Sequence, residues 1–155
     1  MAMVTIRHCT KEEAPELQKL NDEVFIGNAK YDTDLDLNWA KSEKGSKYFN
    51  ELLNDNNALC LIAEDGDRKI GYLAAAPKEI DYRNSKYVEI QNMGVNPDYR
   101  SQGIGKRLME QCFEWARSMG FQKVFVTSYI QNKGAVDFYK NNGFDEIDIS
   151  LEKTL

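Results

Sequence analysis

The fold is decided by EIQNMGVNPDYRSQGIGKR, Glu89 to Arg107. It begins as a strand, passes through Asn96-Pro97-Asp98, and ends in a helix that opens on Arg100-Ser101-Gln102-Gly103-Ile104-Gly105. Two glycines at a helix start let a ligand approach the backbone, because no Cβ stands in the way. The first turn of a helix leaves N–H groups unpaired and pointing outward, which suits an anionic phosphate. Arg100 before the turn, and Lys106 and Arg107 inside it, carry the matching charge. The stretch therefore reads as a phosphate-binding turn, with a tight turn and plain helix start as the bland alternative.

Neighbouring motifs narrow this. A Walker A loop needs a glycine five residues before Gly105 and a Ser or Thr after the Lys, where Arg100 and Arg107 stand. A dinucleotide fingerprint needs a third glycine where Leu108 stands. Nucleotide-binding readings fail on those residues. What remains is R-x-x-G-x-G at a strand–loop–helix junction.

Working outward, the strand Tyr87 to Val95 places Tyr87, Glu89, Gln91, Met93 and Val95 on one face by simple alternation, with Gly94 permitting a bulge. The helix from Gly103 carries Ile104, Leu108, Cys112 and Ala116 on its apolar side and ends at Gly120. Gln122 to Tyr129 reads as a strand. Asn132 caps a helix through Asn142, Gly143 closes it, and Phe144 to Lys153 alternates as a last strand. Upstream, Ala58–Ala63 and Lys69–Ala76 read as a hairpin, and Val4–Ile6 as a short strand. Thr10 and Glu13 form a capping-box pattern before a helix carrying Leu17, Leu20 and Val24. A second helix is expected over Lys47–Leu53. The whole is expected to be one domain, residues 1–155, with neither repeat nor linker.

Composition excludes several classes. The 155 residues carry a net charge of -5, against nucleic acid as the main partner. Sixteen acids face eleven bases up to Ser85, whereas the remainder balances at nine each. An acidic first half favours a cationic co-substrate, or is a solvated surface. The longest apolar runs are too short to span a membrane, and MAMVTIRH lacks the pattern of a secretory leader, so a cytoplasmic location is expected. Cys9, Cys60 and Cys112 form no CxxC pair and His8 is alone, so neither a zinc site nor a Ser-His-Asp hydrolase has its materials. Asp32, Asp34, Asp36 and Glu43 fall at calcium-loop spacing, but Leu37 occupies the place of the required glycine. The stretch reads instead as a solvated loop or substrate lip, with Trp39 offering a cation–π face.

Asn132 and Tyr139 lie seven apart, nearly on one helix face. The turn Arg100–Gly105, followed by Asn132-Lys-Gly-Ala-Val-Asp-Phe-Tyr139 and Gly143-Phe144, resembles the GNAT superfamily of acyl-CoA-dependent N-acetyltransferases. The resemblance is strict over Glu89 to Phe144 and loose elsewhere. It implies an α/β (α+β) fold with a twisted mixed sheet of six or seven strands and about four helices. It implies acetyl-CoA as cofactor, with no metal. Backbone amides from Gln102, Gly103, Ile104, Gly105 and Lys106 would hold the pyrophosphate, supported by Arg100. Met93 and Val95 would pair with the pantetheine arm, the Val95 N–H facing the thioester oxygen, and Asn132 would contact the pantetheine side.

Chemistry then asks for two more groups. The leaving thiolate needs an acid, and the resemblance gives that role to Tyr139, whose alternative is a packing tyrosine. The amine needs a base, because freeing its lone pair at pH 7 costs about 4–5 kcal/mol. Glu89 matches the base of histone-type members; its alternative is a strand Glu paired across the sheet, with a chain of waters serving as base, as in many members of that superfamily. The expected reaction is acetyl transfer to a primary amine of a small cation or a peptide, with a homodimer as one option for the chain's assembly. The rival is a non-catalytic acyl-CoA-binding sensor or interaction module.

Overall fold

Continuous apolar runs in the central strands build a sheet with two covered faces. The computed structural model describes residues 3–155. The element order is β1 (Val4–His8), α1 (Ala14–Asn28), α2 (Glu43–Leu53), β2 (Leu59–Asp65), β3 (Arg68–Lys78), β4 (Tyr87–Val95), α3 (Ile104–Ser118), β5 (Lys123–Val126) and α4 (Lys133–Asn141). The five strands lie in sequence order, antiparallel except for the parallel β4–β5 pair. One face, with Leu61, Leu73 and Val88, packs against Leu108, Met109 and Cys112 of α3. The other, with Ile62, Tyr72 and Ala74, packs against Leu17 and Leu20 of α1 and Phe49 and Leu52 of α2.

Two helix starts differ from expectation. Pro15 sits in the first turn of α1, whose N-cap is Glu13 rather than Thr10. Glu13 still accepts from the Thr10 N–H at 2.8 Å, the back-bond a capping box requires. Its carboxylate also takes two hydrogen bonds from Arg7, which Glu64 shares. Arg7 holds the Glu13 pKa down at about 2. The second helix begins four residues earlier than predicted, because the Ser42 hydroxyl caps it at the Gly45 N–H.

The sheet has five strands among the described residues, not six or seven. Residues 144–153 form no strand; Ile147, Ile149 and Leu151 alternate as predicted but stand exposed at 55, 66 and 87%. Alternation records only which way side chains point, and a strand also needs a paired edge. β5 stops at Val126 rather than Tyr129.

A bulge in β4 matters most for the site. Ala75 pairs with Ile90 and Ala74 with Asn92, so Gln91 is the extra residue. Simple alternation therefore fails beyond it. Glu89 pairs with Ala76, on the α1–α2 face, whereas Met93 pairs with Leu73, on the α3 face. The expectation that Glu89 shares a face with Met93 and Val95 is corrected on this point. Gly94, predicted to permit the bulge, serves another end: a Cβ there would lie 2.5 Å from Val24 Cγ2 and 3.3 Å from the Tyr72 ring. Its bareness lets α1 settle on the strand.

Candidate active site

The β4–β5 ladder ends at Ile90–Val126, immediately before the bulge. From Gln91 to Val95, β4 keeps β3 on one side and, among the described residues, has no strand on the other. A strand so placed leaves backbone donors and acceptors free on its open edge. The gap has two flanks, one toward α3 and α4, the other toward α1 and α2.

On the α3 side, the turn after β4 is pinned at both ends. Asn96 donates its N–H to Ile70 O at 2.7 Å, and its side chain caps the short turn Pro97–Tyr99. The Tyr99 phenol donates to Asp65 at 2.7 Å. Arg100 Nε donates to Val95 O at 3.0 Å, fastening the turn to the strand end. Ser101 (φ 63°) and Gly103 (φ 79°) are both left-handed, and no side chain caps α3. A Cβ on Gly103 would meet nothing within 4 Å, so space is open above the turn. Gln102 and Lys106 are exposed, while the Ile104 side chain is buried and offers only its backbone. These residues suit an anionic phosphate. Gly105 has a different reason from the one predicted: its Cβ would lie 3.2 Å from the Phe138 ring, so it admits α4 beside α3.

Tyr139 packs edge-on against Phe138 and Phe144 beside the α3-side core. Burial raises its phenol pKa, keeping it protonated at neutral pH. Asn132 caps α4 through Oδ1, accepting the Ala135 N–H at 3.1 Å, which leaves its Nδ2 for other use. Burial pushes the thiols of Cys60 and Cys112 up to about 12 and that of Cys9 still higher. None is an activated nucleophile.

On the α1–α2 side lies a cavity of about 380 Å³. Glu89 lines it and meets Lys78 Nζ at 3.5 Å, so it is both cross-strand partner and cavity carboxylate. Phe25 and Trp39 stack at 5.6 Å and 7°, and Tyr48 tilts against Trp39 at 5.6 Å. Gly45 positions the indole: a Cβ would lie 2.6 Å from the carbonyls of Trp39 and Ala40. Of the four residues predicted as an acceptor lip, Trp39 alone reaches the cavity. Asp32 instead accepts from the Tyr129 phenol at 2.6 Å and from the Asp34 N–H, and Asp36 from the Asn38 N–H. Tyr31 stacks on Tyr129 beside that bond, so the acidic loop is strapped to the far side of the gap.

The remaining cavity residues were not anticipated from sequence. The Asn92 amide donates to the Tyr48 hydroxyl at 3.0 Å, and that hydroxyl donates to Gln91. Asn21 donates to Tyr72 at 2.9 Å and to Asn92 at 3.4 Å. Asn21 is 1% exposed, and its Oδ1 has no partner. Such an orphan costs about 1–3 kcal/mol. One sequence signal pointed to it: Asn21 interrupts an apolar stripe between Leu17 and Val24.

Comparison with known proteins identifies the family. Residues 15–144 match the Acetyltransferase (GNAT) family, and the chain belongs to it. Over 147 residues it is 29% identical to an uncharacterized N-acetyltransferase of Methanocaldococcus jannaschii, covering 94% of this chain and 62% of that protein. It is 28% identical over 94 residues to N-acetyltransferase 8 of Rattus norvegicus, covering 61% and 42%. The chain thus spans less than two thirds of these relatives' lengths. The aminoglycoside acetyltransferase meta-AAC0020 from an uncultured soil sample, in complex with sisomicin, superposes with a TM-score of 0.74 at 24% identity, covering 98% of this chain and 96% of that one. AAC(6')-Iy, in complex with a bisubstrate analogue of CoA and acetylneamine, does so at 0.78 and 16%, covering 99% of each. These two likenesses establish a common fold.

Proposed function

We propose that this chain transfers the acetyl group of acetyl-CoA directly to a primary amine of a small cationic molecule or a peptide, within one domain. The observation that carries this reading is the coincidence of the bulge with the end of the β4–β5 ladder. It opens the strand edge between an uncapped helix start and a cavity holding a carboxylate.

The amides of Gln102 to Lys106 hold the pyrophosphate, and Arg100 braces that turn through Val95 O. Met93 and Val95 offer backbone groups to the pantetheine arm, and Asn132 Nδ2 contacts its side. Acetyl-CoA supplies a thioester carbon at which the amine forms a C–N bond while the C–S bond breaks. Val95 N–H stabilises the charge that develops on the carbonyl oxygen. Glu89, paired with Lys78 at 3.5 Å, takes the amine's proton through a water. Tyr139 returns a proton to the departing sulfur; a protonated, buried phenol is matched to a thiolate leaving in the same apolar surroundings.

The test is thiol release from acetyl-CoA across a panel of amines, with Tyr139→Phe and Glu89→Gln beside the parent. Amine-dependent release that falls about 100-fold or more in each variant supports the roles. A chain that CoA stabilises thermally but that releases no thiol above background is a binder, and the catalytic reading is lost.

A further inference from the structure

The cavity's own chemistry selects among amines. Its aromatic side is formed by Phe25 and Trp39, stacked parallel, with Tyr48 tilted beside them. Rings fixed in this way present flat apolar area that costs little entropy to use. Of the residues lining the cavity, Glu89 is the one carboxylate, and Lys78 already shares it at 3.5 Å. A molecule with three or four ammonium groups needs several carboxylates to replace lost hydration. Asp32, expected from sequence to form part of an acceptor lip, is committed to Tyr129.

The polar side is a directed chain of hydrogen bonds. Tyr48 donates to Gln91, Asn92 to Tyr48, and Asn21 to Asn92. Each donation fixes the orientation of the next amide. The chain ends at Asn21, whose second donation goes to Tyr72 and whose Oδ1 is left without a donor in a residue 1% exposed. An acceptor atom held vacant by its own network, in a residue lining the cavity, fits an incoming N–H.

We propose that the cavity takes a primary amine with a single positive charge on a short arm attached to a flat apolar body, an arylalkylamine. Its ring lies against Trp39, and its nitrogen sits between Glu89 and Asn21 Oδ1. Asn21 is thus a binding residue for the acceptor. The proposal rests on the acetyl-transfer reading for its biological sense, but binding can be measured without turnover.

The experiment is calorimetric titration of the CoA-saturated protein with 2-phenylethylamine, spermidine and neamine, repeated on Asn21→Leu and Trp39→Ala. We expect 2-phenylethylamine to bind at least tenfold more tightly than either polyamine. Each substitution should weaken it about tenfold while the thermal shift given by CoA is kept. Asn21→Ser, smaller but still an acceptor, should recover part of the loss; a merely structural role for Asn21 predicts no such recovery. Tighter binding of a polyamine, no binding of any of the three, or an unchanged affinity in both substituted proteins overturns the assignment. Should Asn21→Leu fail to fold, Trp39→Ala and the ligand ranking decide alone. Binding as expected without acetyl release leaves the pocket standing and removes the transfer reading.

Discussion

The two flanks of the β4 gap are built from different materials. The flank proposed to hold the acetyl donor is made largely of main chain: an open strand edge, two left-handed residues and an uncapped helix start. The flank proposed to hold the acceptor is made of side chains that converge from α1, the turn at Trp39, α2 and β4. Main-chain sites depend on local conformation, so a few adjacent residues specify them. Side-chain sites depend on tertiary packing, so residues dozens of positions apart must be placed together before the site exists. A fold can hence keep one flank while the other is rebuilt.

That contrast is broken most sharply by removing the group proposed to act at the reacting centre. Tyr139→Phe should lower kcat by roughly 100- to 10,000-fold, measured as thiol release, with the CoA-induced thermal shift intact. Loss of the shift as well would make Tyr139 part of the donor cradle. Gly45→Ala comes next. Its Cβ meets two carbonyls at 2.6 Å and must displace the Trp39 turn. We expect a loss of about 1–3 kcal/mol in chemical denaturation, a several-fold rise in acceptor KM, and an unchanged KM for acetyl-CoA. Equal effects on both substrates would erase the distinction between the flanks.

Gly103→Ala tests the donor flank by the complementary route. A side chain at φ 79° costs about 1–2 kcal/mol, although space for a methyl is open. The CoA thermal shift should shrink while acceptor affinity holds. The smallest effect belongs to neither flank. Glu13 titrates at about 2 rather than 4.5 because Arg7 holds its charged form. Its contribution is complete above pH 4.5 and is lost as pH falls toward 2. Glu13→Gln should therefore flatten part of the acid limb of stability against pH, read by thermal melting, without changing either KM ratio at pH 7.

Legibility followed the same division. Arg100 to Gly105 and Asn132 to Tyr139 announced a helix start, a cap and a family, because glycine, Asn and Tyr at fixed offsets carry local meaning. Asp32, Asp34 and Asp36 looked like the acceptor's lip because charge is conspicuous, yet Asp32 is spent on Tyr129 and the cavity is walled by aromatics. Asn21 was nearly invisible: its environment comes from Tyr72 and Asn92, 51 and 71 residues away. The final strand was mispredicted for a related reason, since Ile147, Ile149 and Leu151 state a parity but name no neighbour.

Gln91 is the residue through which β4 changes allegiance. Before it, the strand shows Glu89 to one side; after it, the same odd-numbered positions show Met93 to the other. Substitution there keeps the surplus residue and its bend, whereas deleting it restores an unbroken ladder. Without Gln91, Ile90 would still face Ala75 and Asn92 would still face Ala74, so each side chain keeps its face while the bend at the end of the β4–β5 ladder is lost. This segment should thus tolerate changes of letter far better than changes of length, because one surplus residue is what parts β4 from β5.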